Sequence, residues 1–291
     1  MEIRVLNYFL MVAREENITK AANLLHITQP TLSRQLMQLE EELGVKLFVR
    51  NSHNISLTED GLLLKRRAQE MITLAEKTKQ ELMREEEITG EIAIGSGELQ
   101  GMEIFAKMME KFRQSYPEVH FDMYSSNADE IKDRIENGLL DMGLLMEPVD
   151  VSKYEFARMP QKEQWGVIVR KDSPLAGKDF VTPEDIAEFP LITTKRAMVL
   201  NELHNWFGDG ADGLNIVSTY NLIYNSIMQV KQGMGILLCL KLDVNTEGVT
   251  FIPLSPALEM GTVLVWKKNQ TFSPALEAFT KFCRECLKSM T

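Results

Sequence analysis

The sequence predicts an α/β protein in three parts: a small helical head with a β-wing, a long connecting helix, and two α/β units facing each other across a cleft. Three observations predict it. Residues 17–43 hold two short helical patterns joined by a tight turn. Residues 58–87 repeat small and apolar side chains at heptad spacing. From residue 91 onward, short β-compatible runs alternate with helical ones, the pattern of a parallel sheet covered by helices.

In the head, Asn17 is placed to cap a helix by accepting a bond from an orphan N–H of its first turn. Ala21, Ala22 and Leu25 form that helix's buried stripe, and the two alanines let another helix approach closely. Thr28 is a second cap, and Pro30 falls in the next first turn, where its missing N–H costs nothing. Leu32, Leu36, Leu39 and Leu43 then share one helical face. The other face carries Gln29, Thr31, Ser33, Arg34 and Gln38, hydrogen-bonding side chains long enough to reach base edges in a major groove. An ordinary amphipathic helix pair with a solvated polar face shares this pattern. The next residues favour the DNA-reading alternative. Residues 47–50 and 54–57 are β-compatible, and Asn51-Ser52-His53 between them is turn-like, so a wing lies directly behind the second helix.

Thr58 caps a long helix whose first turn holds Glu59 and Asp60, the sign its dipole favours. Leu64, Ala68, Met71, Ala75, Thr78 and Leu82 repeat at heptad spacing and make a dimerisation stripe. Half of that seam is Ala or Thr, which buries little area but permits close approach. A partner helix is its favoured occupant. The alternative is packing on the helix's own domain, to which Ile72 and Met83 beside the seam lend weight. The helix would run about 45 Å at about 1.5 Å per residue. Arg84-Glu85-Glu86-Glu87, then Thr89-Gly90, mark its end and a hinge.

Beyond it, residues 92–94 read as a strand, Gly95-Ser96-Gly97 as a turn and 102–115 as a helix. A strand at 119–123, a helix at 128–137 and a strand at 141–146 complete the first unit. The second unit has strands at 165–170, 191–193, 216–219 and 235–240, with helices at 183–188, 198–207 and 221–232. Strands near 249–253 and 262–267 and a last helix, 273–290, bring the chain back to the first unit. Ligands of open α/β sheets bind beyond the C-terminal strand ends. That rule selects Ser96, Gly97 and Glu98 after the first strand, and Ser125, Ser126 and Asn127 after the second. It selects Met146 and Glu147 after the third, and Thr193, Thr194, Tyr220 and Asn221 across the cleft. Hydroxyls and helix N-termini converging on one crevice suit a carboxylate or another small anion. Glu98 is awkward for an anion; it either selects a ligand carrying an amine or stays outside the site.

Composition bounds the function. Hydrophobic residues make up 44% and charged residues 25% of 291, ordinary for a globular chain. No apolar run reaches about 18 residues, so no membrane span is expected. The mildly apolar start carries Glu2, Arg4 and Arg14 and lacks a small-residue cleavage site, which points to the cytoplasm. Net charge is −10, the wrong sign for indiscriminate nucleic-acid binding. Residues 1–89 are near neutral, with 12 Lys/Arg against 14 Asp/Glu. DNA affinity must then come from a few placed groups such as Arg34, Arg50, Lys20 and Lys46, doubled by dimerisation. Cys283 and Cys286 form a C-x-x-C, but they share a stripe with Leu276, Phe279, Phe282 and Leu287, which favours packing over redox chemistry. The histidines show no ligand spacing, and no Ser/His/Asp or metal constellation is present, so neither catalysis, a metal nor a cofactor is expected.

Three segments carry a resemblance: A-A-N-L-L-H-I-T-Q-P-T-L-S-R-Q-L-M-Q-L-E, then L-G-V-K-L-F-V-R, then L-T-E-D-G. Residues 1–61 resemble the winged helix-turn-helix of the LysR-type transcriptional regulators. That family often has a second basic residue in the wing where this chain has His53, leaving Arg50 as the firm phosphate contact. The pieces Y-P-E-V-H-F, G-L-L-D-M-G-L and V-K-Q-G-M-G-I-L-L resemble the family's effector domain, itself like the type-2 periplasmic binding proteins. Leu240 stands where that family often has proline, so a different turn is expected there.

The resemblance implies a head at 1–58 and a linker helix at 59–89, followed by an effector domain at 90–291. The two lobes of that domain would be 90–161 plus 268–291, and 162–267. It implies double-stranded operator DNA as partner of Gln29, Pro30, Thr31, Ser33, Arg34, Gln38 and Arg50. A small effector would meet Ser96, Gly97, Glu98, Ser126, Asn127, Met146, Thr193, Thr194 and Asn221. It further implies a homodimer or homotetramer paired through the linker helix, and contact with RNA polymerase. A two-lobed transport-type binding protein and an enzyme on the same scaffold are the rivals.

Overall fold

The computed structural model describes residues 1–50, 55–82, 88–243, 247–268 and 272–290. The chain forms two compact units, Met1–Arg84 and Glu85–Thr291.

The first unit is helical with a two-stranded wing. Helix α1 (Ile3–Glu15) buries Val5, Leu6, Phe9 and Val12. Asn17 accepts from the Lys20 N–H at 2.9 Å and starts α2 (Ile18–Leu24). Thr28 accepts from the Thr31 N–H at 3.4 Å and starts α3 (Gln29–Leu43), with Pro30 in its first turn. Helix α3 stops at Gly44, whose φ of +69° is the left-handed conformation a C-cap requires. Leu32, Leu36 and Leu39 are buried with Ala21 and Ala22 in one core. Strands β1 (Phe48–Arg50) and β2 (Ile55–Leu57) pair antiparallel, Phe48 opposite Leu57. The expected wing turn, with His53, lies outside the described residues, as does the side chain of Arg50. Thr58 accepts from the Gly61 N–H at 2.9 Å and opens α4 (Glu59–Leu82).

One member of the expected dimerisation stripe on α4 is covered within its own chain, and others pack beside it. Ala68 is 0% exposed within its own chain, and Leu64, Met71 and Ile72 pack on the same head core. Helix α4 lies against α1, which covers the first half of the stripe. Packing on the helix's own domain is therefore what the structure shows there. Ala75 is half-buried and Thr78 exposed. The Leu82 side chain, Met83 and the 84–87 charge run lie outside the described residues.

The second unit has two lobes. The first lobe's sheet begins with the parallel strands β3 (Gly90–Ser96), β4 (Val119–Ser125) and β5 (Met142–Met146). Helix α5 (Gly101–Ser115) follows β3 and α6 (Ala128–Glu136) follows β4. Strand β6 (Tyr154–Arg158), absent from the sequence expectation, closes the far edge. The chain crosses into the second lobe through β7 (Glu163–Arg170), α7 (Pro183–Ala187), β8 (Leu191–Thr194) and α8 (Ala197–Phe207). It continues through β9 (Ile216–Tyr220), α9 (Ile223–Lys231), β10 (Ile236–Leu240), β11 (Val249–Pro253) and the short β12 (Glu259–Met260). This sheet runs β11-β7-β10-β8-β9.

Strand β13 (Thr262–Lys267) returns to the first lobe, where it pairs with β5 and β6 in the order β4-β3-β5-β13-β6. The expected lobe boundary after residue 267 is thus wrong by one strand. Thr262 to Trp266 are all buried, so alternation carried no hint of which sheet the strand joins. Helix α10 (Pro274–Met290) packs on the first lobe, with the Phe279 ring 4.9 Å from those of Phe112 and Phe121. Cys283 lies buried in the same core, and burial pushes its thiol well above the ordinary range, which disfavours the thiolate that redox exchange needs.

Gly95 and Ser96 belong to β3 rather than to the expected turn. Gly95 sits opposite Gly143 of β5, and a Cβ on Gly95 would lie 2.5 Å from Ile131. The missing side chains let α6 lie close on the sheet.

A candidate DNA-reading face and a candidate effector cleft

On α3, Gln29, Pro30, Thr31, Arg34 and Gln38 are exposed and Ser33 is half-buried, so the structure brings these residues onto one solvent-facing side. Gln29 Nε2 donates to Ser33 Oγ at 2.9 Å, so these two side chains hold each other in place. Arg34 has no ion pair among the described residues and is open to a phosphate or a base edge. Lys20 and Lys46 are not: Lys20 pairs with Glu15 and Lys46 with Glu40, both at 2.6 Å. Glu40 does more than neutralise. Its Oε1 accepts from the N–H groups of Leu47 at 2.9 Å and Phe48 at 3.3 Å, which ties the wing's first strand to α3. Partial burial raises its pKa, but Lys46 and these N–H groups outweigh that and hold it below the usual carboxylate range.

In the second unit a cavity of about 80 Å³ lies between the lobes. That holds several waters or a small ligand, since one water needs about 10–15 Å³ on this measure. Its walls come from the C-terminal ends of β3, β4, β5, β8 and β9. Of the expected residues, Gly97, Glu98, Ser126, Asn127, Met146, Thr194 and Asn221 line it. Ser96 and Thr193 do not. Ser96 Oγ donates to the Gly97 carbonyl at 2.8 Å. Thr193 precedes Thr194, and successive strand residues point to opposite faces.

The Ser126 and Thr194 hydroxyls and the Asn127 amide oxygen expected at this crevice are held by bonds within the chain. Asn127 Oδ1 caps α6, accepting from the N–H groups of Asp129 and Glu130 at 3.0 and 3.1 Å. Ser126 Oγ donates to Glu130 at 2.5 Å. Thr194 Oγ1 accepts from the Arg196 N–H at 3.2 Å. Short polar side chains bond their neighbouring backbone readily, and that local demand took them first.

Two polar ties cross the cleft in opposite directions. Glu98 of the first lobe accepts from the Ile223 N–H at the start of α9. From the second lobe, the Arg196 guanidinium donates to the carbonyls of Met146 at 3.1 Å and Pro148 at 2.9 Å, with Asp129 at 3.5 Å. Arg196 is 8% exposed. Sequence reasoning missed it, although a signal existed: a cation just before a helix opposes the helix dipole and calls for a reason. It also missed Trp165, Val199 and Leu240, apolar walls hidden inside ordinary strand and helix patterns. No cluster of three or more His, Cys, Asp or Glu able to hold a metal occurs among the described residues. No described helix is long and apolar enough to cross a membrane.

Comparison with known proteins places both units. Residues 3–62 match the family model described as bacterial regulatory helix-turn-helix protein, lysR family. Residues 85–288 match the LysR substrate binding domain. The chain is 28% identical to the Hca operon transcriptional activator HcaR of Escherichia coli (strain K12), covering 100% of both chains. It is 31% identical to the HTH-type transcriptional regulator BsdA of Bacillus subtilis (strain 168), over 70% of this chain and 73% of that one. Among solved structures, full-length CbnR complexed with target DNA matches with a TM-score of 0.74 at 20% identity, covering 98% and 99% of the two chains. That last likeness speaks for the fold alone. Head, connecting helix and two-lobed domain are those of the LysR family, and the chain belongs to it as a DNA-binding transcriptional regulator.

Proposed function

We propose that this regulator works in the cytoplasm as a homodimer that reads an operator with two α3 helices and responds to a small molecule held between the lobes of the second unit. Arg34, Gln38, Gln29 and Ser33 would meet base edges, and Thr31, Pro30 and Arg50 the backbone around them. A dimer contact remains available on α4 after its first half is covered. Leu63 and Leu74 are 51% and 42% exposed. They stand eleven residues apart, about three turns, and so share a face. Exposed apolar groups on one face invite a partner helix. Occupation of the cleft would alter contact of the DNA-bound dimer with RNA polymerase.

The observation that carries the reading is the cavity with its two opposed ties. A ligand between the lobes must contact Glu98, Arg196 or both, so binding and lobe geometry are coupled. The head is tested by Arg34→Ala in a gel-shift titration. Loss of a specific base contact is expected to weaken operator binding by about 1–3 kcal/mol and relax base preference at one position. Unchanged affinity and preference would remove Arg34 from the interface.

A further inference from the structure

The cavity is polarised in a way that its position among helix N-termini does not suggest. A helix N-terminus ordinarily attracts an anion, through unpaired N–H groups and the dipole. At α9 the first of those N–H groups are taken. The Ile223 N–H is bonded to Glu98 Oε2, and the Leu222 N–H to Asn221 Oδ1 at 3.0 Å. Glu98 is tethered to the same unit, so an incoming carboxylate competes with a group held at high effective concentration. Arg196 is the one cationic side chain in the cavity wall among the described residues; its two Nη groups donate to carbonyls, while its buried Nε lies 3.5 Å from Asp129 without a hydrogen bond.

Several polar side-chain atoms in the wall bond no described residue, Asn127 Nδ2 and Asn221 Nδ2 among them. Glu98 Oε1 bonds no described residue, Oε2 alone being used. Trp165 is 1% exposed, and its indole Nε1 is buried without a partner among the described residues. An acceptor bearing negative charge thus stands in a cavity whose apolar walls include Leu99, Leu144, Trp165, Val199 and Leu240. A carboxylate placed there would put like charge beside Glu98 and leave the Glu98 oxygen unmatched. An ammonium group would answer it directly.

We propose that Glu98 sets the charge selectivity of this cavity: by filling the anion seat of α9 with the chain's own carboxylate, it makes the site one for a small amine-bearing ligand and excludes carboxylates. The amine pairs with Glu98 Oε1. This rests on the reading of the cleft as the effector site.

The test uses the full chain with propylamine and propionate as matched probes, followed by thermal shift and calorimetry. Wild type is expected to be stabilised saturably by propylamine and not by propionate. Glu98→Ala empties the seat, so propionate should now bind and replace the deleted carboxylate, while propylamine binding is lost. The preference should reverse by about tenfold or more, the factor that about 1.4 kcal/mol represents. Glu98→Gln keeps an acceptor for Ile223 without charge; it should lose the amine and gain no anion, and it stands in should the alanine variant fold poorly. Val199→Trp fills the cavity. If it abolishes the shifts but the charge preference does not follow residue 98, Glu98 is not the selector and only this proposal falls. If the shifts survive Val199→Trp, the probes bind elsewhere and the cleft reading falls with it. Stabilisation of wild type by propionate as strong as that of Glu98→Ala, or no response of Glu98→Ala and Glu98→Gln different from wild type, overturns the selectivity claim.

Discussion

Glu40→Ala should separate the wing from the recognition helix without touching the polar face of α3. The Leu47 N–H loses its acceptor while Leu47 itself stays 1% exposed, and an unsatisfied buried donor costs about 1–3 kcal/mol. The Phe48 N–H, held at 3.3 Å in a half-buried place, adds a fraction of that. The Lys46 pair, with its lysine 75% exposed, contributes at most about 1 kcal/mol after solvent screening. A loss of about 2–3 kcal/mol is expected for the head. Hydrogen exchange of the amides of Leu36 and Leu39, buried on α3, should therefore accelerate about 30- to 140-fold where exchange follows unfolding of the head. Glu40→Gln keeps an oxygen for both N–H groups and should lose under about 1 kcal/mol. The sign with pH follows from the lowered carboxyl of Glu40: its stabilisation is present above the unfolded pKa and is lost as pH falls through the folded one. Wild type and Glu40→Gln should therefore converge below the usual carboxylate range. If Glu40→Gln exchanges as fast as Glu40→Ala at neutral pH, charge pairing holds the wing and the backbone-anchor reasoning is refuted.

Other outcomes follow from the same packing. Gly95→Ala brings a Cβ to 2.5 Å from Ile131 and 2.9 Å from Leu140, and should destabilise the second unit by about 1–3 kcal/mol in calorimetry. Gly97→Ala meets its nearest atom at 3.6 Å and should stay within about 0.5 kcal/mol of wild type; equal effects of the two would contradict the close approach of α6. Leu74→Glu should raise the dimer dissociation constant about 100-fold, from about 1.5 kcal/mol or more lost per leucine in a symmetric pair. Light scattering that finds its mass unchanged at low concentration would place the dimer contact elsewhere.

What could be read from the sequence was local. The caps at Asn17, Thr28 and Thr58 act over three residues, and the Leu32-Leu36-Leu39 stripe needs only one helix to define it. The sequence does not say which neighbour covers a stripe. Ala68 fits a heptad seam equally well whether a partner or α1 lies against it, and only the folded head decides for α1. Strand β13 was legible as a strand, yet its pairing with β5 spans more than a hundred residues. In the cleft, strand ends located seven of the nine expected residues, because chain topology puts them there. Their hydrogen bonds were not legible, since Thr194 and Asn127 are satisfied by backbone N–H groups whose directions depend on how each turn closes.

The burial of Ala68 makes α4 part of the head for about its first four turns, since Leu64, Met71 and Ile72 are fastened to the same core. Such a helix is a lever with its fulcrum inside the DNA-reading body. A rotation applied farther along it would carry the head core with it, since Leu64, Ala68, Met71 and Ile72 all pack there. A slip of one residue along α4 corresponds to about 100° of rotation. A signal passing along this helix would therefore be read in fractions of a turn, with Ala68 the tightest contact along the way.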